Sequence, residues 1–381
     1  MELETLLARL TDNCSINDPY GASHLPIYQT ATFDLKKQSG DRIYDYSRTD
    51  NPTRNALEDI FAAAEGAQGC VCINTGLSAI ALLFETTLQT GDAVLVEMDR
   101  YGGTYRLLNI LSQKSGIDVF SCDFLDHTKV EELIRTKNIR LVFCESPTNP
   151  GLKIIDIAAI SGICKKYQAL FAVDNSLATF ASQKPLELGA DFSVFSTTKS
   201  VSGHGAAVSG AVAAKEMKWV EKLRFYSNAE GRAQSPFESF LITLGLPTLT
   251  YRMKVQEENA LKLAAYLSER QDVMKICFPG LECHPQHALA VKQMKICPGI
   301  LTVDMINSSQ AAKFITNTKY FGEKASFGTV DSRIEMPSKI SHHSFTEEDL
   351  NAIGITANTL RISVGLENIN DLIGDIESAL S

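Results

Sequence analysis

Long apolar runs are missing from this chain of 381 residues. No stretch reaches the roughly 20 consecutive apolar residues that a membrane-spanning helix needs. The opening Met1-Glu2-Leu3-Glu4-Thr5 has neither the basic start nor the apolar core of a signal peptide. An excess of positive charge is missing too. The net charge of −9 argues against a general nucleic-acid binder and still permits a local basic pocket for an anion. The nine cysteines show no clustered zinc-ligand spacing, and their odd number leaves at least one unpaired. Most, such as Cys144 and Cys164, sit in apolar segments, as reduced thiols buried in a cytosolic protein do. Neither an internal repeat nor a low-complexity tract is present. The expectation is a cytoplasmic protein with no metal centre, no membrane partner and no nucleic-acid partner.

What is present is enough apolar material, 44% of the residues, for substantial cores, and a length that suits two domains. Residues 1–50 read as an irregular polar arm broken by Pro19, Gly21, Pro26 and Gly40, which packs on the main domain or on another subunit. From residue 51 onward helical and strand patterns alternate. Residues 55–64 are helix-like and are followed by Gly66 as a stop. Ala93-Val94-Leu95-Val96, Leu141-Val142-Phe143-Cys144, Leu170-Phe171-Ala172-Val173 and Phe192-Ser193-Val194-Phe195 are short, nearly continuous apolar runs. Such runs between helical stretches suggest buried strands of a mainly parallel sheet. Ligands of such sheets lie at the carboxyl ends of the strands, and Glu145, Asp174 and Ser196 follow these runs. Gly231, Pro236, Gly245 and Pro247 mark a boundary. Beyond it residues 256–269 read as an amphipathic helix, and the last 120 or so residues as a smaller α+β domain. The predicted division is an arm over 1–50, a main domain over 51–235 and a C-terminal domain over 236–381.

The chemistry concentrates where Ser193-Val194-Phe195-Ser196-Thr197-Thr198 ends on Lys199. A desolvated lysine becomes a usable nucleophile for Schiff-base chemistry. Asp174 ends another apolar run, where a carboxylate is costly unless a cation compensates it. A helix cap or an internal salt bridge is the plainer role for Asp174. Ser196 and Thr198 alternate beside Lys199 and suit a phosphate. An amine, a partner for a pyridine nitrogen and a phosphate cradle are what pyridoxal phosphate (PLP) requires. Further motifs accompany them. Asn74-Thr75-Gly76-Leu77-Ser78-Ala79 opens an apolar helix whose free amides suit phosphate, or else is a tight turn before a core helix. Tyr101 precedes a glycine pair and suits stacking on a planar ring, or simply flanks a turn. Asn149, in Ser146-Pro147-Thr148-Asn149-Pro150, offers an amide donor or a plain turn. Arg361 has the fork that an α-carboxylate needs, or is an ordinary surface arginine. His284-Pro285-Gln286-His287 has ligand-like spacing but reads as a surface loop, and His342-His343 reads as solvated near the expected substrate mouth.

In this order and spacing the motifs closely resemble the Cys/Met-metabolism family of PLP enzymes, which includes the cystathionine synthases and lyases. The resemblance runs from Tyr44-Asp45-Tyr46-Ser47-Arg48 to Arg361-Ile362-Ser363-Val364-Gly365. It implies an α/β aminotransferase type I fold, with a mainly parallel seven-stranded sheet in the large domain and a smaller C-terminal α+β domain. It implies Lys199 as the lysine that carries the cofactor and as a catalytic base. Asp174 is then the partner of the pyridine nitrogen, and Tyr101 a ring-stacking residue and proton donor. Gly76, Leu77, Ser196 and Thr198 are phosphate ligands, while Asn149, Arg361 and Ser326 hold substrate. Tyr46 and Arg48 are implied to reach the phosphate of a neighbouring subunit, so a homotetramer built from active dimers is expected.

The segments around Tyr46, Gly76 and Tyr101 look like cystathionine γ-synthase. Two segments depart from that pattern. The Glu-Ser-Leu-Gly-Gly typical of γ-synthases and γ-lyases is Ala325-Ser326-Phe327-Gly328-Thr329 here, and Ala325 cannot supply the glutamate's charge. Ser200-Val201-Ser202-Gly203-His204-Gly205-Ala206 also differs from the usual loop after the lysine. β-Elimination needs a single proton removal before the leaving group departs, so the expectation is a cystathionine β-lyase of trans-sulfuration and methionine biosynthesis. Cystathionine γ-synthase and γ-lyase are the alternatives, and a non-catalytic scaffold a remote one.

Overall fold

The computed structural model describes residues 1–16, 18, 20–38 and 42–381. Pro19 and Gly40, two of the expected breakers, lie outside them. The first regular segments follow from local rules. The helix Pro52–Glu65 starts where the Asn51 side chain accepts the Thr53 N–H and Pro52 fills the first turn. It stops at Gly66, whose φ of 68° is the left-handed cap that a glycine adopts without strain.

Seven strands form the first sheet: β1 (Gly69–Ile73), β2 (Ala93–Glu97), β3 (Asp118–Cys122), β4 (Ile139–Glu145), β5 (Leu170–Asp174), β6 (Phe192–Phe195) and β7 (Gly210–Ala214). Their order is β1-β7-β6-β5-β4-β2-β3. Every neighbouring pair from β6 to β3 is parallel, and β7 runs antiparallel to both β1 and β6. The sheet is therefore mainly parallel, as expected. The apolar runs of β2, β4, β5 and β6 are nearly continuous because helices cover both faces, leaving no solvent side for polar residues.

A second sheet follows: β8 (Val273–Cys277), β9 (Ile300–Met305), β10 (Gly322–Glu323), β11 (Arg333–Glu335) and β12 (Thr359–Ser363), in the order β10-β11-β12-β9-β8. The helix Leu249–Ser268 packs its buried Ala260, Leu263, Ala264 and Leu267 into the core of this sheet. It begins earlier than the periodicity indicates because Arg252 and Gln256 are buried on its first turns. Arg252 donates to the carbonyls of Ser200 (2.8 Å) and Val201 (3.2 Å), and so pins the loop after Lys199. The arm is not wholly irregular. It carries the helix Leu3–Ala8, and Leu6, Leu7, Leu10 and Leu25 join the main core beside Leu57, Phe61 and Leu249. No helix among the described residues is long and apolar enough to cross a membrane.

Candidate active site

The parallel strands β2, β4, β5 and β6 all point their carboxyl ends at one crevice, and the second sheet closes it from the other side. The enclosed cavity is about 350 Å3. It is lined by Gly76, Leu77, Tyr101, Asn149, Asp174, Ser196, Thr198, Lys199, Ser326 and Arg361, residues singled out from the sequence and up to 285 positions apart. A larger cleft, of about 700 Å3, opens elsewhere beside the helix His287–Gln293 and contains none of them. Volume alone is a poor guide here, because the smaller cavity holds the convergent polar groups.

Lys199 Nζ reaches across from the first sheet and donates to Ser326 Oγ at 2.8 Å. Burial lowers its pKa to about 8, helped by the charge of Arg361 and opposed by Glu335. An amine in that range is partly neutral near pH 7, which is what nucleophilic and base chemistry need. On β5, the Asp174 carboxylate accepts the Ser176 N–H (2.9 Å). Burial raises its pKa, while the Ser176 hydrogen bonds and Lys199 pull it back. Glu145 is its register partner on β4. Burial and the charge of Asp174 push the Glu145 carboxyl well above the usual range. Two neighbouring buried carboxyls resist ionising together, and the charge of Asp174 adds to the upward push on Glu145.

The end of the cavity beside Gly76 is set by backbone proximity. The helix Gly76–Thr87 begins against β6 and β7, capped by the Thr75 hydroxyl, which accepts the Ser78 N–H at 2.9 Å. A side chain on Gly76 would put its Cβ 2.6 Å from Ser196 Cβ and 2.7 Å from Ser196 Oγ. A Cβ on Gly210 of β7 would likewise come within 2.6 Å of Gly76 Cα. Thr198 Oγ1 is held by the Ser209 N–H (2.8 Å) and donates to Ser209 O (3.1 Å), which fixes its rotamer at the rim. Gly76→Ala should therefore cost about 1–3 kcal/mol by overpacking and weaken phosphate binding. Thermal unfolding and PLP titration of the cofactor-free protein check this. A variant with wild-type values in both would show that close approach at Gly76 is dispensable.

Tyr101 stands partly exposed at the rim, just before the helix Gly102–Ser115. Its N–H donates to Glu145 Oε1 at 2.6 Å. Gly103 leaves room for the ring, since a Cβ there would overlap the Tyr101 ring carbons. Opposite, Arg361 on β12 is only 3% exposed. It donates from Nη1 to Asn149 Oδ1 and from Nη2 to Ser326 O, both at 2.9 Å. Its Nη1 also lies 3.2 Å from Glu335 Oε1. Burial lowers the pKa of Arg361, and Glu335 opposes that. Ser326 is thus gripped by both Lys199 and Arg361, with a left-handed φ of 85° that is uncommon for serine. Ala325 lines the same wall, and its carbonyl accepts from Arg333 (3.2 Å).

Two expected site residues are not in this cavity. Tyr46 and Arg48 are exposed on the outer surface, where Arg48 Nε donates to Asn228 Oδ1 (3.1 Å) and its guanidinium sits 5.1 Å from the Tyr46 ring centroid. The histidine readings need correction. His342 is fully buried rather than solvated, because Nε2 sits 3.1 Å from the carbonyls of both Arg100 and Asn149. His284 is also buried, 7% exposed, with Nδ1 accepting the Gln286 N–H. His343 remains exposed at the cavity rim. Glu335 was missed. It sits in the three-residue strand Arg-Ile-Glu, too short to show a pattern, and only its register opposite Arg361 reveals it. Among the described residues, no cluster of three or more His, Cys, Asp and Glu is placed to hold a metal ion.

The cavity's donors suit PLP. A lysine of lowered pKa shares the cavity with a carboxylate that is short of partners. A helix N-terminus with no side chain at Gly76 leaves backbone amides open to a phosphate.

Comparison with known proteins agrees. Residues 5–381 match the family of Cys/Met metabolism PLP-dependent enzymes. The chain is 38% identical to a cystathionine beta-lyase of Coxiella burnetii, over 94% of this chain and 93% of that protein. It is 36% identical to a cystathionine gamma-lyase of Bacillus subtilis, over 94% of each. The crystal structure of a cystathionine gamma synthase from Xanthomonas oryzae pv. oryzae, in complex with aminoacrylate and cysteine, superposes with a TM-score of 0.96 at 35% identity. That likeness covers all of this chain and 98% of the other.

Proposed function

The chain belongs to the Cys/Met metabolism family of PLP-dependent enzymes, and on that premise we propose that it is a cystathionine β-lyase, cleaving L-cystathionine to homocysteine, pyruvate and ammonia. The observation that carries the choice of β over γ is Ala325 in the cavity wall. No carboxylate projects from that position, where γ-specific relatives are expected to carry glutamate. The β-lyases among the similar proteins support the same reading. A γ-reaction is the second reading, favoured by the likeness to the γ-synthase structure.

In this reading Lys199 would carry the cofactor, Asp174 would pair with its ring nitrogen, and Tyr101 would cover its ring. Gly76, Leu77, Ser196 and Thr198 would hold the phosphate. PLP, once bound, supplies an electron sink for the charge left at the substrate's α-carbon. Arg361, Asn149 and Ser326 orient the α-carboxylate through the fork of the guanidinium. Lys199 Nζ takes the α-proton, for which a pKa of about 8 is well matched. The Tyr101 hydroxyl delivers a proton to the departing sulfur. Water is limited by the two sheets that close around the cavity.

We further propose the division into an arm (1–50), a cofactor domain (51–235) and a C-terminal domain (236–381), which the two separate sheets support. Tyr46 and Arg48, exposed on the arm's outer side, suit a phosphate in a neighbouring subunit, so a tetramer of paired active dimers and a cytoplasmic location complete the reading. The deciding experiment is incubation with L-cystathionine and identification of the keto acid. Pyruvate is expected in large excess. Predominant 2-oxobutyrate, or turnover that requires an acylated homoserine plus cysteine, would overturn the β-lyase assignment.

A further inference from the structure

Ser341 lines the cavity, yet none of the motifs above includes it. Its Oγ lies 2.9 Å from His342 Nδ1, its only hydrogen-bond partner among the described residues. The tautomer of His342 follows from its other contacts. Nε2 is 3.1 Å from two backbone carbonyls, those of Arg100 and Asn149, and carbonyls only accept. Nε2 must therefore carry the hydrogen. The ring is neutral at working pH, since burial lowers its pKa to about 4. Nδ1 is then bare and must accept, so the single hydrogen of Ser341 is committed to His342. What the hydroxyl turns toward the cavity is lone pairs alone.

We propose that Ser341 is a specificity-determining residue that accepts a hydrogen bond from the ammonium group on the distal half of the thioether substrate. This rests on the lyase reading and deepens it. A hydroxyl able only to accept suits an ammonium and repels a carboxylate. Ala325, which lines the same cavity, leaves the distal ammonium without the charged partner expected from relatives. Arg106 lines the rim too and is oriented by Ser344 Oγ (3.2 Å), so the distal carboxylate has a cation to turn toward. His342 is the positioning residue that sets the polarity of the hydroxyl.

The test compares L-cystathionine with S-(3-carboxypropyl)-L-cysteine, which keeps the thioether and the distal carboxylate but lacks the distal amine. Dissociation constants come from the rapid absorbance change of the holoenzyme on mixing, and keto-acid release is followed separately. Wild type should bind cystathionine more tightly. Ser341→Ala should weaken cystathionine about tenfold or more and leave the analogue unchanged, as loss of a hydrogen bond to a charged group does. Ser341→Thr, which keeps the hydroxyl, should restore the preference. Equal weakening of both ligands, or of neither, overturns the inference even if cystathionine is cleaved. The expected pattern without keto-acid release upholds it and instead removes the lyase reading.

Discussion

Lys199→Ala is expected to lower keto-acid release from L-cystathionine by at least about 10^4-fold, because in the proposed reading one substitution removes both the anchor of the cofactor and the base that takes the α-proton. The loss is in kcat rather than KM, since Arg361 and Asn149 stay in place to hold the substrate's acid group. Borohydride treatment followed by peptide mapping supplies a readout apart from turnover. In the wild type the vitamin B6 adduct lies on the peptide containing Lys199, and in the variant no adduct forms. The cofactor-free wild type also gives a pH signature. Below a pKa of about 8 the Lys199 amine is mostly protonated and unreactive, and above it the free amine dominates. Its acylation should therefore climb with pH and level off above about 8, whereas exposed lysines keep gaining reactivity to about 10.4. An adduct on another lysine, or near-normal turnover by the alanine variant, would remove the basis of the functional assignment.

Asp174→Asn is expected to give the second-largest loss, about 10^2–10^3-fold in kcat, the usual scale when one preorganised electrostatic group is removed. The amide still offers an oxygen to the Ser176 N–H, and burying it costs less than burying a carboxylate, so stability should hold. What disappears is the negative charge that, in the proposed reading, would face the ring nitrogen. PLP affinity should fall as well. Glu145 should titrate at lower pH in the variant, because part of its upward shift comes from the charge of Asp174. Activity within about threefold of wild type, with unchanged PLP affinity, would mean that another group supports the cofactor ring.

Much of this was legible before any coordinates, for identifiable reasons. Strands β2, β4, β5 and β6 are buried on both faces, so their apolar runs are uninterrupted and end abruptly on functional residues. Two strands left weaker traces. β3 lies at the sheet's edge and is half-buried at best, so its Asp-Val-Phe-Ser-Cys has no long apolar run. β7 reads Gly-Ala-Val-Ala-Ala, small residues of low strand preference, chosen where the helix at Gly76 must come close. At the site, Lys199 and Asp174 announced themselves because a charge after an apolar run demands an explanation. His342 and Glu335 did not, because their roles depend on groups 193 and 26 positions away that only the fold brings together.

The cavity takes Lys199 and Asp174 from the first sheet's side and Arg361 from the second, so in the proposed reading the amine and ring partner come from one and the acid clamp from the other. On that reading the reactive groups lie before residue 200, while Ser326, Ser341 and Arg361 of the substrate-holding set lie after residue 325. Substitutions in the later stretch can redirect which thioether is accepted while leaving the electron sink untouched. The proposed reading thereby marks the segment from Ala325 to Ser344 as the place to engineer a new substrate.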